Sequence, residues 1–245
     1  MVPAEPVTPL PPRRGRYPIL VQWWRDLTFL HWPVPPGQVA PLLPAGVRPD
    51  TLDGVSYVGL IAFRMHRLGP LGGPGLPYLG TFCETNVRLY SVDGQGRRGV
   101  VFRSLDAARL VPVLVARAGF RLPYLWARMR LDRDGDTLRY QTSRRWPGPR
   151  GTGGVLHARI GAPIADPSPL EHFLTARWGL HVRAYGRTRY LPNEHPAWPL
   201  YHADLLYLAD TLVASAGLAG LAATAPVSVL YSPGVPVRFG PPPRR

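Results

Sequence analysis

Between residues 81 and 92 apolar and polar side chains alternate, with Cys83, Thr85, Val87 and Leu89 on one face and Phe82, Glu84, Asn86, Arg88 and Tyr90 on the other. That is the period of a β-strand with two different surroundings. A face that sets Glu, Asn and Arg between two aromatics is not a plain core, so it either meets solvent or lines a cavity. Residues 57–65 alternate in the same way, with Tyr57, Gly59, Ile61, Phe63 and Met65 opposed to Val58, Leu60, Ala62 and Arg64. Runs at 19–29 and 227–239 read as the first and last strands, the last one broken at Ser232-Pro233-Gly234. Asp93-Gly94-Gln95-Gly96 is a hairpin turn signal. A symmetric turn opposes Val92 to Arg97 and Asn86 to Arg103, bringing Arg103 diagonally within reach of Glu84. A one-residue change of register sends Arg103 to the other face. A second hairpin is expected over 124–131 and 137–145, with further strand pieces at 181–190 and 201–208.

Short helices are expected at 35–43 and at 111–119, each with Pro near its first turn. Ser168-Pro169-Leu170-Glu171 has the spacing of a capping box and starts a helix reaching about Trp178. Residues 209–216 read as one more helix. The apolar run 205–225 approaches the ~20 residues of a membrane span, but Asp210, Gly217 and Gly220 interrupt it. It therefore reads as a buried helix ending near Gly217. The Gly/Pro loop LGPLGGPGLPYLG (68–80) is of the kind that covers a site. Many hairpins with few helices indicate an α+β, mainly antiparallel β fold. A single domain is expected over 17–240, between a disordered Pro/Arg-rich arm (1–16) and a basic tail (241–245).

Composition sharpens this in three ways. The 31 Pro and 26 Gly are spread through all 245 residues, which favours short strands and turns over long helices. The net charge of +14 is carried entirely by arginine, because the sequence contains no Lys; a side-chain imine with a carbonyl substrate is thereby excluded. One cysteine, Cys83, excludes an internal disulfide and fits a reducing compartment. With no apolar leader in the first residues, a cytoplasmic location is expected.

Several stretches together resemble the uncharacterised YqjF-like family, placed with the acetoacetate decarboxylase-like fold. They are LTFLHWPV (27–34), LLPAGVRPDTLDG (42–54), FCETNVRLY (82–90), VFRSLDAA (101–108), AR and FRLPY (116–124), HPAWPL (195–200) and YSPGV (231–235). The resemblance covers about residues 20–240. It implies a cone-shaped antiparallel β-barrel with a few short flanking helices and a pocket inside. It puts Glu84 in the place of a pocket glutamate of the decarboxylase. It also puts Tyr124, in Leu122-Pro123-Tyr124-Leu125, where the decarboxylase has its reactive lysine. That departure removes the decarboxylase's imine mechanism.

The candidate site residues follow from these readings. Glu84 and Tyr124 are the candidate acid–base groups. Arg88, Arg103, Asn86, His31 and His195 are candidate ligand contacts, the arginines as bidentate clamps for a carboxylate or phosphate. Glu84 is equally read as a barrel carboxylate paired with Arg88 or Arg103, and each histidine as a hydrogen-bonded structural residue. No HExxH, HxH or CxxC spacing occurs, so neither a metal nor a cofactor is expected. The leading expectation is a barrel for a small anionic or carbonyl-bearing ligand, with lyase-like acid–base chemistry if it is an enzyme, and with self-association left open. The alternative is a nucleic-acid-binding or protein-interaction module using the Arg-rich surface. The scatter of the arginines and the lack of RNA-binding aromatic motifs argue against nucleic acid.

Overall fold

The alternating stretches form strands, the one at 57–65 extending over Ser56–Pro70, in a computed structural model that describes residues 2–13, 17–70 and 73–241. In chain order the elements are β1 (Leu20–Val34), α1 (Pro36–Val39), β2 (Val47–Pro49), β3 (Ser56–Pro70), β4 (Phe82–Asp93), β5 (Arg98–Ala107), α2 (Leu110–Phe120), β6 (Tyr124–Asp134), β7 (Thr137–Trp146), β8 (Gly153–Pro163), α3 (Pro169–Thr175), β9 (Gly179–Ala184), β10 (Arg187–Glu194), β11 (Tyr201–Asp210), α4 (Leu212–Ser215) and β12 (Ser228–Phe239). The strands form one 12-stranded sheet that closes on itself twice. One ring runs β5–β6–β7–β8–β11–β12–β1–β3–β4 and returns to β5; the other runs β5–β9–β10–β12–β1–β3–β4 and returns to β5. All pairings are antiparallel except β5 with β6 and β5 with β9.

The two rings share β12, β1, β3, β4 and β5, and β3 and β4 are buried along most of both faces. Leu30, Trp32, Val58, Leu60, Val87 and Leu89 pack into the core of the first ring. Phe29, Ile61, Phe63, Met65 and Phe82, their alternates, pack into the second. Tyr90, Phe173 and Leu180 close the far end of the second ring. The faces drawn from the sequence for 57–65 and 81–92 are these two sides.

Four local expectations are corrected. Asp93 to Arg97 makes a longer connection than a symmetric turn, so Val92 opposes Arg98. A bulge between Val87 and Arg88 shifts the ladder again, so Asn86 opposes Leu105 and not Arg103. Residues 181–190 are not one strand but the hairpin of β9 and β10, turning at Tyr185-Gly186, both at positive φ. The run 205–225 is the end of β11, the short α4 and a 3-10 turn; no helix among the described residues is long and apolar enough to cross a membrane. β12 is continuous through Pro233-Gly234 and keeps an unbroken register with β1, whose bulge between Arg25 and Thr28, with Asp26 at φ 50, is against β3.

Helix α3 starts with the expected capping box: Glu171 N donates to Ser168 Oγ at 3.3 Å and Ser168 N donates to Glu171 Oε2 at 2.6 Å. It ends at Thr175, short of Trp178, because its last carbonyls bond elsewhere. Arg177 donates to Phe173 O, and Arg88 and Tyr90 both donate to Leu174 O at 2.8 Å. The N-terminal arm, expected to be disordered, is laid along the second ring. Glu5 accepts from Arg98 N at 2.9 Å, its own N donates to Gly96 O at 2.9 Å, and Trp178 donates to Thr8 O at 3.1 Å. Residues 1, 14–16 and 242–245, which hold the rest of the arm and most of the expected tail, lie outside the described residues, as do 71 and 72 of the Gly/Pro loop.

Candidate functional site

Strand β4 presents Glu84, Asn86 and Arg88 on one face because strand side chains repeat every second residue. That face looks into the second ring, onto an inner cavity of about 60 Å³ whose other walls include Trp24, Phe29, Phe63, Leu122, Tyr124 and Trp198. The Tyr124 hydroxyl, at the start of β6, donates to Glu84 Oε2 at 2.9 Å. Leu105 pairs with Tyr124 across the parallel β5–β6 contact, and this fixes Tyr124 opposite β4.

Glu84 is 3% exposed. Burial pushes its carboxyl up from 4.5 to about 8, against hydrogen bonds from Tyr124 and Asn86 that favour the ionised form; Asp106 nearby pushes the same way as burial. The phenol of Tyr124 is raised well above its usual value by burial and by Glu84. Asn86 is buried and its Oδ1 has no hydrogen-bond partner, and the same holds for Trp24 Nε1.

Arg88 is 8% exposed. Its guanidinium donates to Leu174 O at 2.8 Å and to Tyr90 Oη at 3.3 Å, and it stacks over the rings of Phe29 and Tyr90. No ion pair joins Arg88 to a carboxylate among the described residues. The expected pairing of Glu84 with Arg88 or Arg103 is therefore not formed. Glu84 is satisfied by a phenol and Arg88 by neutral oxygens.

Arg103 is corrected outright as a pocket residue. The bulge and longer turn put it on the outside of β5, where it donates to Ala216 O at 3.1 Å and Leu42 O at 3.0 Å. His31 and His195 stand behind the cavity wall and do not line it. His31 is fully buried with neither ring nitrogen hydrogen-bonded, held well below its usual pKa by burial and then by Arg88 and Arg177. Gly59 makes room for it: a Cβ there would lie 3.2 Å from both the His31 ring and the Arg88 stem. His195 bonds Pro196 O through Nδ1 at 2.7 Å and lies 4.4 Å from the Trp178 ring and 4.8 Å from that of Trp198, centroid to centroid. Burial lowers it to about 4.

Sequence reasoning missed Gln22, which lines the cavity beside Trp24 and is 4% exposed. A lone Gln two residues before Trp24 in an apolar run was the available signal. Also unforeseen is the buried pair in which Arg144 donates to Asp106 through Nε at 2.8 Å and Nη2 at 2.9 Å. It ties β7 to β5 close behind Glu84.

A second, outer chamber of about 280 Å³ adjoins the first and shares Gln22, Met65, Leu122, Tyr124, Leu180 and Phe239 with it. Its remaining walls come from the Gly/Pro loop, α2 and parts of β1, β3, β4, β10 and β12, and among the described residues all their side chains are apolar. It opens to solvent past Leu76, Val111 and Val115, which are about half exposed. Among the described residues no group of three or more His, Cys, Asp or Glu is arranged to hold a metal.

A family model described as DUF2071, an uncharacterized conserved protein, matches residues 21–236. The uncharacterized protein YqjF of Bacillus subtilis (strain 168) is 31% identical over 204 residues, 82% of each chain. Among solved structures, an acetoacetate decarboxylase-like enzyme from Sphingomonas wittichii RW1 superposes with a TM-score of 0.62 at 14% identity, covering 92% of each chain. Enduracididine biosynthesis enzyme MppR, complexed with the condensation product of pyruvate and imidazole 4-carboxaldehyde, gives 0.60 at 16% identity over 92% of this chain and 89% of its own. The acetoacetate decarboxylase of Legionella pneumophila gives 0.59 at 15% over 96% and 90%. At these identities the structural likeness concerns the fold, which is acetoacetate decarboxylase-like.

Proposed function

The chain belongs to the DUF2071 family, and from that premise we propose that it binds a small oxo acid in the inner cavity, with the ligand carboxylate toward Arg88 and its carbonyl toward Tyr124 and Glu84. The observation that carries this is the unbalanced charge of the cavity wall. A buried guanidinium normally has a carboxylate partner. Here the nearest acid on the same strand face, Glu84, is neutral near pH 7 because of its burial, which leaves Arg88 as a fixed positive charge beside an enclosed space. Asn86 and Trp24 add an unpartnered acceptor and an unpartnered donor to the same walls. MppR, of the same fold, is described in complex with a pyruvate adduct, which agrees in ligand class.

Without a lysine the carbonyl stays a carbonyl. The chemistry open to the site is proton transfer: the ionised fraction of Glu84, whose carboxyl titrates at about 8, takes a proton from the carbon next to the carbonyl and returns it, while the Tyr124 hydroxyl donates to the developing enolate oxygen. Tyr124 then exchanges its bond to Glu84 for one to the ligand.

Thermal shift with pyruvate and 2-oxobutyrate, together with proton NMR of the same acids in D2O, tests both halves. A ligand at ~100 times its dissociation constant stabilises by about 2.7 kcal/mol. The expected result is a shift in the wild type, binding by Glu84→Gln within about threefold of it, and exchange of the protons next to the carbonyl that this variant loses. Glu84→Gln is isosteric with the protonated acid and keeps an acceptor for Tyr124, so the fold survives. No binding by the wild type, or equal exchange by wild type and variant, would sink the assignment.

A further inference from the structure

Resting on that reading, we infer that the oxo acid is an amphiphile, whose hydrocarbon chain leaves the carbonyl past Tyr124 and fills the outer chamber. Three observations converge on this. The two cavities are neighbours, and Tyr124, the residue that meets the carbonyl, belongs to the wall of both. The outer chamber, at about 280 Å³, has the liquid volume of about nine waters, which is far more than a methyl or ethyl group occupies. Its chemistry is also selective. The chain carries 29 cationic residues, yet among the described residues not one lines this chamber, and Gln22 and Tyr124 are the only polar side chains there. Both sit at the end that adjoins the inner cavity. A chamber meant for water, phosphate or a sugar would be furnished with donors and acceptors; this one excludes them.

The order of groups along the ligand follows from the order of groups along the protein. Arg88 lies farthest along β4 from the outer chamber, bonded to the end of α3; Glu84 and Tyr124 come next; the apolar walls of α2 and the Gly/Pro loop come last. An acid with its carboxylate and carbonyl at one end and an unbranched chain at the other matches this order.

Titration calorimetry with straight-chain 2-oxo acids from pyruvate to 2-oxodecanoate decides it. Each added methylene should tighten binding about fourfold while the chain still enters the chamber. The affinity ratio of 2-oxooctanoate to pyruvate should then be of the order of 10³. Ala116→Phe on α2, pointing bulk into the chamber, should collapse that ratio toward one; Val111→Phe on the exposed turn of the same helix is a second obstruction if the first misfolds. Pyruvate binding with no dependence on chain length, or a length dependence untouched by both obstructions, overturns the amphiphile and leaves the oxo-acid site standing. No binding at any length removes the oxo-acid site and this inference with it.

Discussion

Glu84 behaves unlike a surface carboxylate in a way that stability measurements can read. In the unfolded chain it releases its proton near 4.5, and in the folded protein it holds that proton to about 8. Folding therefore favours the protonated form. Its contribution is fully present in acid and is lost as pH rises from about 4.5 to about 8. His195, lowered to about 4 by burial, acts in the opposite sense, losing stability as pH falls from its ordinary 6.5. A raw pH profile therefore mixes the two. The difference between wild type and Glu84→Gln isolates the acid: wild-type stability relative to the variant should decline steadily between pH 5 and pH 8 in urea titrations. A flat difference would mean that Glu84 is ionised throughout. The face that carries Glu84 was legible because Phe, Glu, Asn, Arg and Tyr at every second position cannot be a uniform core. Its partner was not legible from periodicity. Tyr124 lies 40 residues away in sequence and comes into view only through the resemblance to the decarboxylase.

At the level of strands and turns, what could be read was the existence of most elements, though β2 and β8 were missed and β9 and β10 were merged, and what could not was their register. The Asp93–Gly96 turn signal was correct, yet the fate of Arg103 depended on a bulge at Val87 and Arg88. A bulge is set by packing against neighbouring strands, and no local residue pattern announces it. The Pro233-Gly234 break failed for a related reason. Those residues match a distortion in β1, a strand more than 200 residues earlier. Gly234 has φ 117, and a Cβ there would fall 1.8 Å from Trp24 O. Gly234→Ala should therefore lower stability by more than about 2 kcal/mol in chemical denaturation, and it should weaken ligand binding as well, since Trp24 belongs to the cavity wall. Wild-type stability in this variant would mean that the two strands part easily there.

Across the whole molecule, the two rings contain separate hydrophobic clusters that share their dividing strands. Neither cluster can be exposed while the other stays packed, because β1, β3, β4, β5 and β12 serve both. Scanning calorimetry should accordingly give one transition whose calorimetric and van't Hoff enthalpies agree. Two resolved transitions would mean that the dividing strands hold one ring without the other. The arginines also look different at this scale. Arg144 and Arg177 each meet a buried aspartate, Asp106 and Asp50. Arg97, Arg117, Arg121 and Arg145 lie over aromatic rings. Much of the charge that the sequence shows as an undivided +14 is thus structural.

The strands shared between the rings also bear on how this chain tolerates change. An ordinary half-buried strand has every second position free to drift, because one side faces water. In β1, β3 and β4 the alternate positions answer to two interiors, so a substitution that is silent for one core is felt by the other. Saturation mutagenesis read out by folding would find uninterrupted blocks of intolerance along 27–34 and 82–92, and a two-residue rhythm along β7. The blocks coincide with the LTFLHWPV and FCETNVRLY stretches, which a stranger to this chain would recognise first.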